Sequence, residues 1–184
     1  PHWHQLQGLF WPGLKYLLAF LLYWYRIKKA LEWYRKAAEQ GNAGAQYNLG
    51  LMYSLGKGVA QDDAKAVKWL RKAAAQGNAE AQYHLGVAYH EGEGVGQDDA
   101  QALKWTHKAA AQGNAEAQFC LGLMYAEGEG VAQDYAQAHM WFNLAAAQGE
   151  EDATEQRDKV AKSMTPDQIA EGQGLAREWT EKHQ

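Results

Sequence analysis

The stretch Trp69-Leu-Arg-Lys-Ala-Ala-Ala-Gln-Gly77-Asn-Ala-Glu-Ala-Gln-Tyr83-His-Leu-Gly86-Val-Ala-Tyr89-His-Glu-Gly92-Glu-Gly94-Val95-Gly-Gln-Asp98 decides the fold of this 184-residue chain, because it recurs on both sides of itself with few changes. A step of 36 residues connects four tryptophans and also four glycines: Trp33, Trp69, Trp105 and Trp141, and Gly41, Gly77, Gly113 and Gly149. A fixed period of about 20 to 50 residues is typical of a solenoid of stacked supersecondary units. Three such units fill residues 41–148, which predicts a repeat protein.

Four motifs follow one another in each unit: Trp with Lys-Ala-Ala and Gln-Gly-Asn-Ala, then Leu-Gly-x-x-Tyr, then Gly-x-Gly-Val-x-Gln-Asp, then Ala-x-x-Trp. This combination resembles the Sel1-like repeat family, a relative of the tetratricopeptide repeat with a slightly longer unit. The resemblance covers roughly residues 28–162 and implies an all-α fold, an α/α superhelical solenoid of helix-turn-helix repeats. It also implies an adaptor or scaffold for other proteins, often in bacterial envelope, secretion or signalling settings, with no chemistry of its own.

Each unit is predicted to contain two helices, A and B. Helix A is expected at 43–55, 79–91 and 115–127, and helix B at 63–76, 99–112 and 135–148. The Gly-Asn pairs end one helix and cap the next, because glycine accepts the left-handed conformation and the asparagine oxygen accepts a backbone N–H. The aspartates before helix B are expected to cap it in the same way: Asp62, Asp98 and Asp134. Glycines within helix A, at Gly50, Gly86 and Gly122, indicate close approach of a neighbouring backbone, since they cost helix stability.

Composition and side-chain spacing argue against nucleic-acid binding, a metal site and catalysis. A formal net charge of −4 gives no electrostatic footprint for nucleic acid. The one cysteine, Cys120, excludes an intramolecular disulfide and has no cationic neighbour in the sequence that would activate it. His84 and His90 are six residues apart on one helix and point to different sides, so a shared metal is not expected. The sequence therefore predicts a protein that is not an enzyme and that has no cofactor or metal, with an enzyme regulator as a distant alternative.

Residues 1–27 form a hydrophobic, aromatic N-terminal segment that lacks the repeat motifs. From Leu14 to Tyr25 the chain is apolar around its whole circumference apart from Lys15, and a helix of this kind must be buried in something. The anchor residues are Leu14, Leu17, Leu18, Phe20, Leu21, Leu22 and Trp24.

Three interpretations of this segment remain open: a membrane segment, a helix in the groove of a partner protein, or a cap on the first repeat. For the membrane, Trp11 lies near the start of residues 9–25 and Tyr23, Trp24 and Tyr25 at their end, like an aromatic belt, and basic residues follow. Against a clean span, the run has only 17 residues where about 20 are needed, and it contains Pro12 and Lys15. If it spans, the basic residues place the repeats on the cytoplasmic side.

Residues 163–184 are predicted to be a C-terminal capping helix. Thr165-Pro166-Asp167-Gln168 has an N-cap, a proline in the first turn and a capping-box partner in order. Ile169, Leu175, Ala176 and Trp179 are expected to cover the last repeat, as the terminal cap of a solenoid should. The array then has three complete and two partial repeats over residues 28–162, in a right-handed solenoid whose tryptophans are buried between successive layers.

Positions that differ between otherwise similar repeats are free to face a partner. In related helical repeats helix A lines the concave surface, so variable helix A positions predict a partner-binding groove. Its residues are Asn48, Met52, Ser54, Leu55, His84, Ala88, His90, Glu91, Cys120 and Met124.

The expected function is a non-enzymatic scaffold or accessory subunit that binds a protein partner and is tethered to a membrane or a larger complex through residues 9–27. The expected localisation is membrane-associated, with a soluble periplasmic or secreted binding protein as the alternative.

Overall fold

The computed structural model describes the backbone of residues 3–183 and the side chains of residues 15–183. Over residues 3–183 it contains nine helices and no strand, which confirms the all-α prediction. The helices are α1 (Trp3–Glu39), α2 (Ala43–Ser54), α3 (Asp63–Ala75), α4 (Ala79–Glu91), α5 (Asp99–Ala111), α6 (Ala115–Glu127), α7 (Tyr135–Ala147), α8 (Glu151–Ala161) and α9 (Pro166–His183). Helices α2, α4 and α6 are the predicted A helices, and α3, α5 and α7 are the B helices.

The helix ends follow from local sequence. Asn78 accepts a hydrogen bond from the Ala81 N–H at 2.7 Å, and Asp98 accepts one from the Gln101 N–H at 3.0 Å. The equivalent caps form at Asn42, Asn114, Asp62 and Asp134. Gly77 follows the end of α3 with φ of +89°, a conformation that only glycine adopts without strain. Because these interactions lie within a few residues, the predicted helix boundaries are confirmed to within one residue.

Successive helices pack against one another in chain order, from α1 on α2 to α6 on α7. This arrangement confirms the α/α solenoid. Leu31 and Ala38, in the C-terminal half of α1, pack with Ala45 and Leu49 of α2, and α3 packs on α4 in the same order, so this half takes the position of a helix B. At the other end α7 packs on both α8 and α9, which close the array.

The glycines within the A helices make room for the paired B helix. A Cβ on Gly122 would overlap the ring of Phe142, and one on Gly86 would overlap the hydroxyl of Thr106. A Cβ on Gly50 would lie 3.0 Å from Leu70 Cγ and 3.3 Å from the Ala66 carbonyl oxygen. Close approach is therefore confirmed, but the nearest atoms belong to side chains of helix B rather than to its backbone.

The four tryptophans of the repeat do not share one environment. Trp141 is 3% exposed and packs edge-on against Trp179 of α9, with 6.2 Å between ring centroids. Trp69 and Trp105 are half-buried and pack against the core of the preceding repeat. Trp33 is 67% exposed. The prediction that these rings are buried between layers is wrong for Trp33, because within the described residues only α2 packs on α1, and Trp33 lies outside that contact.

Buried glutamines connect each repeat to the next. Gln82 is 5% exposed, and its Nε2 donates to the Ala74 carbonyl at 3.0 Å. Its Oε1 accepts a hydrogen bond of 2.7 Å from Gln112 Nε2, at the end of α5. The same pair of bonds forms at Gln46 and at Gln118. Each glutamine satisfies a helix-terminal carbonyl, so these polar groups are buried without loss of hydrogen bonding.

The C-terminal helix α9 begins with a capping box and packs on α7. The Thr165 N–H donates to Gln168 Oε1 at 2.9 Å, and the Gln168 N–H donates to Thr165 Oγ1 at 3.3 Å, which completes the capping box. Ala176 is buried, and Leu175 and Trp179 pack on the same core as Trp141. Ile169 is half-buried.

Candidate functional site

Two cavities lie at equivalent places in successive repeats, each between two A helices and above the B helix that separates them. The larger, about 340 Å³, lies between α4 and α6 with Ala102 and Thr106 of α5 at its base. The smaller, about 70 Å³, lies between α2 and α4 above Ala66, Val67 and Leu70 of α3. We call this line of cavities the A-helix groove.

Seven of the ten predicted groove residues line the A-helix groove. Ser54, His84 and Ala88 line the smaller cavity, and His90, Glu91, Cys120 and Met124 line the larger. Ala88 and Met124 are buried, so they form its floor.

Three predicted residues lie elsewhere. Met52 is as buried as Ala88, but it packs in the core with Leu31 and Leu49 and lines neither cavity. Asn48 is half-buried, and its Nδ2 donates to the Gly44 carbonyl at 2.8 Å. Leu55 is the exposed C-cap of α2. Placing Met52 in the groove is therefore corrected.

The larger cavity combines acidic walls with an apolar floor. Glu91, Glu127 and Glu129 line it together with Val87 and Leu123. His90 lies between carboxylates, with Nδ1 at 3.5 Å from Asp99 Oδ1 and Nε2 at 3.9 Å from Glu129 Oε2. Helices α2, α4 and α6 contain no lysine or arginine. The A-helix groove therefore favours a cationic or amphipathic partner segment over an acidic one.

Burial keeps the remaining polar groups of the larger cavity uncharged. It raises the pKa of the Cys120 thiol and that of the Tyr83 hydroxyl. A thiol whose pKa is raised is protonated at neutral pH and is a poor nucleophile. Cys120 is therefore an unreactive side chain in the wall of the cavity.

The folded protein is expected to be less stable in mild acid, because two of its histidines are partly or fully buried. Burial lowers the pKa of His84 more than Glu80 and Glu116 raise it, and burial together with Arg157 lowers the pKa of His139 against a smaller opposing effect of Asp158. The unfolded chain then binds more protons than the folded one, so stability falls as the pH drops through the ordinary histidine value of 6.5 towards the lower folded pKa.

The measurement is the urea midpoint at pH 7.5 and at pH 5.5, followed by circular dichroism. We expect a lower midpoint at pH 5.5 and a smaller difference between the two in His84→Gln. His107→Gln, at an exposed histidine, serves as control and should keep the full difference. Equal midpoints at both pH values in the unsubstituted protein would contradict the prediction.

The apolar stretch of α1 is uncovered. Nine large side chains of residues 16–25 are each at least 43% exposed, including the predicted anchor residues Leu17, Leu18, Phe20, Leu21, Leu22 and Trp24. Leu14, also predicted, and residues 9–13 lie outside the part of the chain whose side chains are described. Because the side chains from 16 to 25 do not pack on the first repeat, the capping alternative is not supported. We call residues 16–25 the apolar segment.

The repeat architecture and the motifs agree with known proteins. The family model of the Sel1 repeat matches residues 16–42, 43–78, 79–114 and 115–150. The chain belongs to the Sel1 repeat family. The first match begins at the first residue of the apolar segment and covers all of it, whereas the motifs by themselves placed the start of the repeats at residue 28.

Three solved structures resemble this Sel1 repeat protein. A protective antigen of uropathogenic Escherichia coli with an SLR fold is 42% identical, with a TM-score of 0.78 over 83% of this chain and 33% of that one. A Sel1 repeat protein from Oxalobacter formigenes is 39% identical, with a TM-score of 0.65, covering 70% and 97%. Helicobacter pylori cysteine rich protein B is 27% identical, with a TM-score of 0.56, covering 71% and 93%. The chain thus spans about a third of the length of the Escherichia coli antigen.

No curated protein matches this chain. Sel1 repeat proteins commonly act as protein-interaction scaffolds, and the family is generally a non-enzymatic interaction fold. Among the residues described in this Sel1 repeat protein, no group of histidine, cysteine and acidic side chains is placed to hold a metal ion. Within the same residues no helix has both the length and the hydropathy required to cross a membrane.

The glutamine pairs between repeats were missed by sequence reasoning. The signal was available, since the Ala-x-Ala-Gln motif repeats Gln46, Gln82 and Gln118 at one register while Gln76, Gln112 and Gln148 recur at another. The two glutamines of each pair are 30 residues apart in the chain, and only the stacking of the repeats brings them together.

Proposed function

We propose that this Sel1 repeat protein is a non-enzymatic scaffold or accessory subunit that binds a protein partner in the A-helix groove. The apolar segment tethers it to a membrane or to a larger complex. The observation that carries the proposal is the recurrence of a cavity at one place in successive repeats, lined by side chains that differ between repeats. A fixed scaffold with variable lining is what selective recognition of an extended partner requires.

The charge of the A-helix groove indicates the chemistry of the partner. Glu91, Glu127 and Glu129 surround an apolar floor, so a partner segment with lysine or arginine beside apolar side chains would satisfy both parts of the cavity. An acidic segment would face like charges, which cost affinity. The proposed location is membrane-associated, with the periplasm as the alternative.

The test places a photo-crosslinking amino acid at Glu91 or Glu127, and at Lys104 as a control on α5. A partner from the native source should be crosslinked from both groove positions and not from Lys104. The double variant Glu91→Lys/Glu127→Lys should weaken capture about ten-fold or more, equivalent to about 1.4 kcal/mol. Glu171→Lys/Glu178→Lys, which makes the same charge change on exposed residues of α9, should capture normally. Capture that is indifferent to both double variants would refute the groove assignment.

A further inference from the structure

Basic side chains collect on one outer surface of the solenoid. Lysine recurs at Lys36, Lys72 and Lys108, one position of the successive B helices α1, α3 and α5, and at Lys68 and Lys104, a position that Glu32 holds in α1. Because these positions are four residues apart, they lie on the same face of each helix. We call this surface the B-helix face and define it by Lys36, Lys68, Arg71, Lys72, Lys104 and Lys108. Within the described residues none of the six is in an ion pair, so their charges are available to an outside ligand.

The two kinds of helix carry opposite charge. After the first turn α3 and α5 contain no acidic residue, whereas α2, α4 and α6 contain no lysine or arginine. A net charge of −4 therefore conceals a molecule with a basic outer face and an acidic groove. Such a separation orients the molecule on a charged surface, because the field of each face depends on its local charge and not on the net charge.

The B-helix face is continuous with the apolar segment through α1. This helix takes the place of the first helix B, and towards its N-terminus it carries the uncovered residues 16–25. Where the two regions meet, Lys28 Nζ lies 5.1 Å from the centre of the Trp24 ring and Lys29 Nζ lies 5.9 Å from that of Tyr25. Tryptophan, tyrosine and lysine side chains with an apolar body and a polar tip are typical of the boundary between lipid chains and headgroups.

Half-buried tryptophans extend this pattern over the B-helix face. Lys72 Nζ lies 4.4 Å above the ring of Trp69, and Lys108 Nζ lies 4.5 Å above that of Trp105. The pairs are 36 residues apart and present the same arrangement twice along the face. A nucleic acid would match the lysines but would leave the nine apolar side chains of α1 in water, so the observations favour lipid.

We propose that the B-helix face and the apolar segment together bind the surface of an anionic bilayer. The apolar segment enters the headgroup region, and the six basic side chains contact lipid phosphates. This inference rests on the proposed tether and specifies its ligand. It leaves the A-helix groove directed away from the lipid and open to a protein partner.

The experiment is co-sedimentation of the full chain with vesicles of phosphatidylcholine alone or mixed with phosphatidylglycerol. The variant Lys68→Glu/Lys72→Glu/Lys104→Glu/Lys108→Glu should bind the mixed vesicles about a hundred-fold more weakly than the unsubstituted protein. The control Lys159→Glu/Lys162→Glu/Arg177→Glu/Lys182→Glu makes the same charge change on exposed residues of α8, its C-cap and α9, and should bind normally. Added salt should weaken the binding of both the unsubstituted protein and the control variant to the mixed vesicles.

Three outcomes would overturn the inference. One is that the protein binds both kinds of vesicle equally and the B-helix face variant binds them equally well. The apolar segment would then be the only part that contacts the bilayer. Another is binding to neither vesicle. The third is salt-dependent binding of a thymidine oligonucleotide probe, lost in the same variant, without vesicle binding. Groove crosslinking by the B-helix face variant is measured in parallel, so failure of the lipid surface and failure of the protein-binding groove are distinguished.

Discussion

Phe142→Ala is expected to lower the free energy of unfolding by about 3–5 kcal/mol. Phe142 is among the largest fully buried side chains, and it fills the space between α6 and α7 next to Phe119, with 5.7 Å between ring centroids. Its removal loses the burial of the ring and leaves a cavity that the surrounding helices fill only in part. Urea unfolding followed by far-ultraviolet circular dichroism measures the loss.

A double-mutant cycle with Gly122 tests whether the two residues are matched in size. Gly122→Ala alone should cost about 1–3 kcal/mol, because its Cβ would overlap the Phe142 ring. In the Phe142→Ala background the same methyl group enters the vacated space. The double variant should therefore lose about 1–3 kcal/mol less free energy of unfolding than the sum of the two single variants. Gly50→Ala places its methyl group against Leu70 in another repeat, so its loss of free energy of unfolding should add to that of Phe142→Ala. Full additivity for Gly122 would show that the glycine is not there to admit the ring.

Gly94→Ala is expected to cost about 2–5 kcal/mol from two separate sources. Gly94 has φ of +69°, where an L-residue is strained by about 1–2 kcal/mol. A Cβ at this position would also overlap the backbone carbonyl of Asp63 in the preceding repeat, which a side-chain rotation does not relieve, and such overpacking costs about 1–3 kcal/mol more. The loop that contains Gly94 is therefore a contact between repeats as well as a turn.

Gly77→Ala is the matched control for Gly94→Ala. Gly77 has φ of +89°, but nothing lies within 4 Å of the Cβ that alanine would add. This variant should lose only the conformational part, about 1–2 kcal/mol. Urea midpoints of both variants measured side by side separate the two sources. Equal losses would mean that contact with the preceding repeat contributes nothing at Gly94.

Variation between repeats was a partial guide to the candidate site. It singled out His84, His90 and Glu91, which line the cavities, because a position that faces open space tolerates different side chains. It failed at Met52, which the comparison of repeats treats like Met124. Met52 packs against α1, and Met124 lies at the floor of the larger cavity. Residues at one repeat position meet different neighbours near the ends of an array.

The sequence by itself determined the elements of this protein: the 36-residue period, the helix boundaries and the capping residues. These rest on interactions within a few residues, such as Asn78 with Ala81 or Thr165 with Gln168, which need no distant partner. Only the tertiary structure decided which side chains are buried and which surfaces are charged. Trp33 and Trp141 hold one repeat position, yet one is exposed and the other lies beneath α9, because burial and surface charge depend on how separate helices stack.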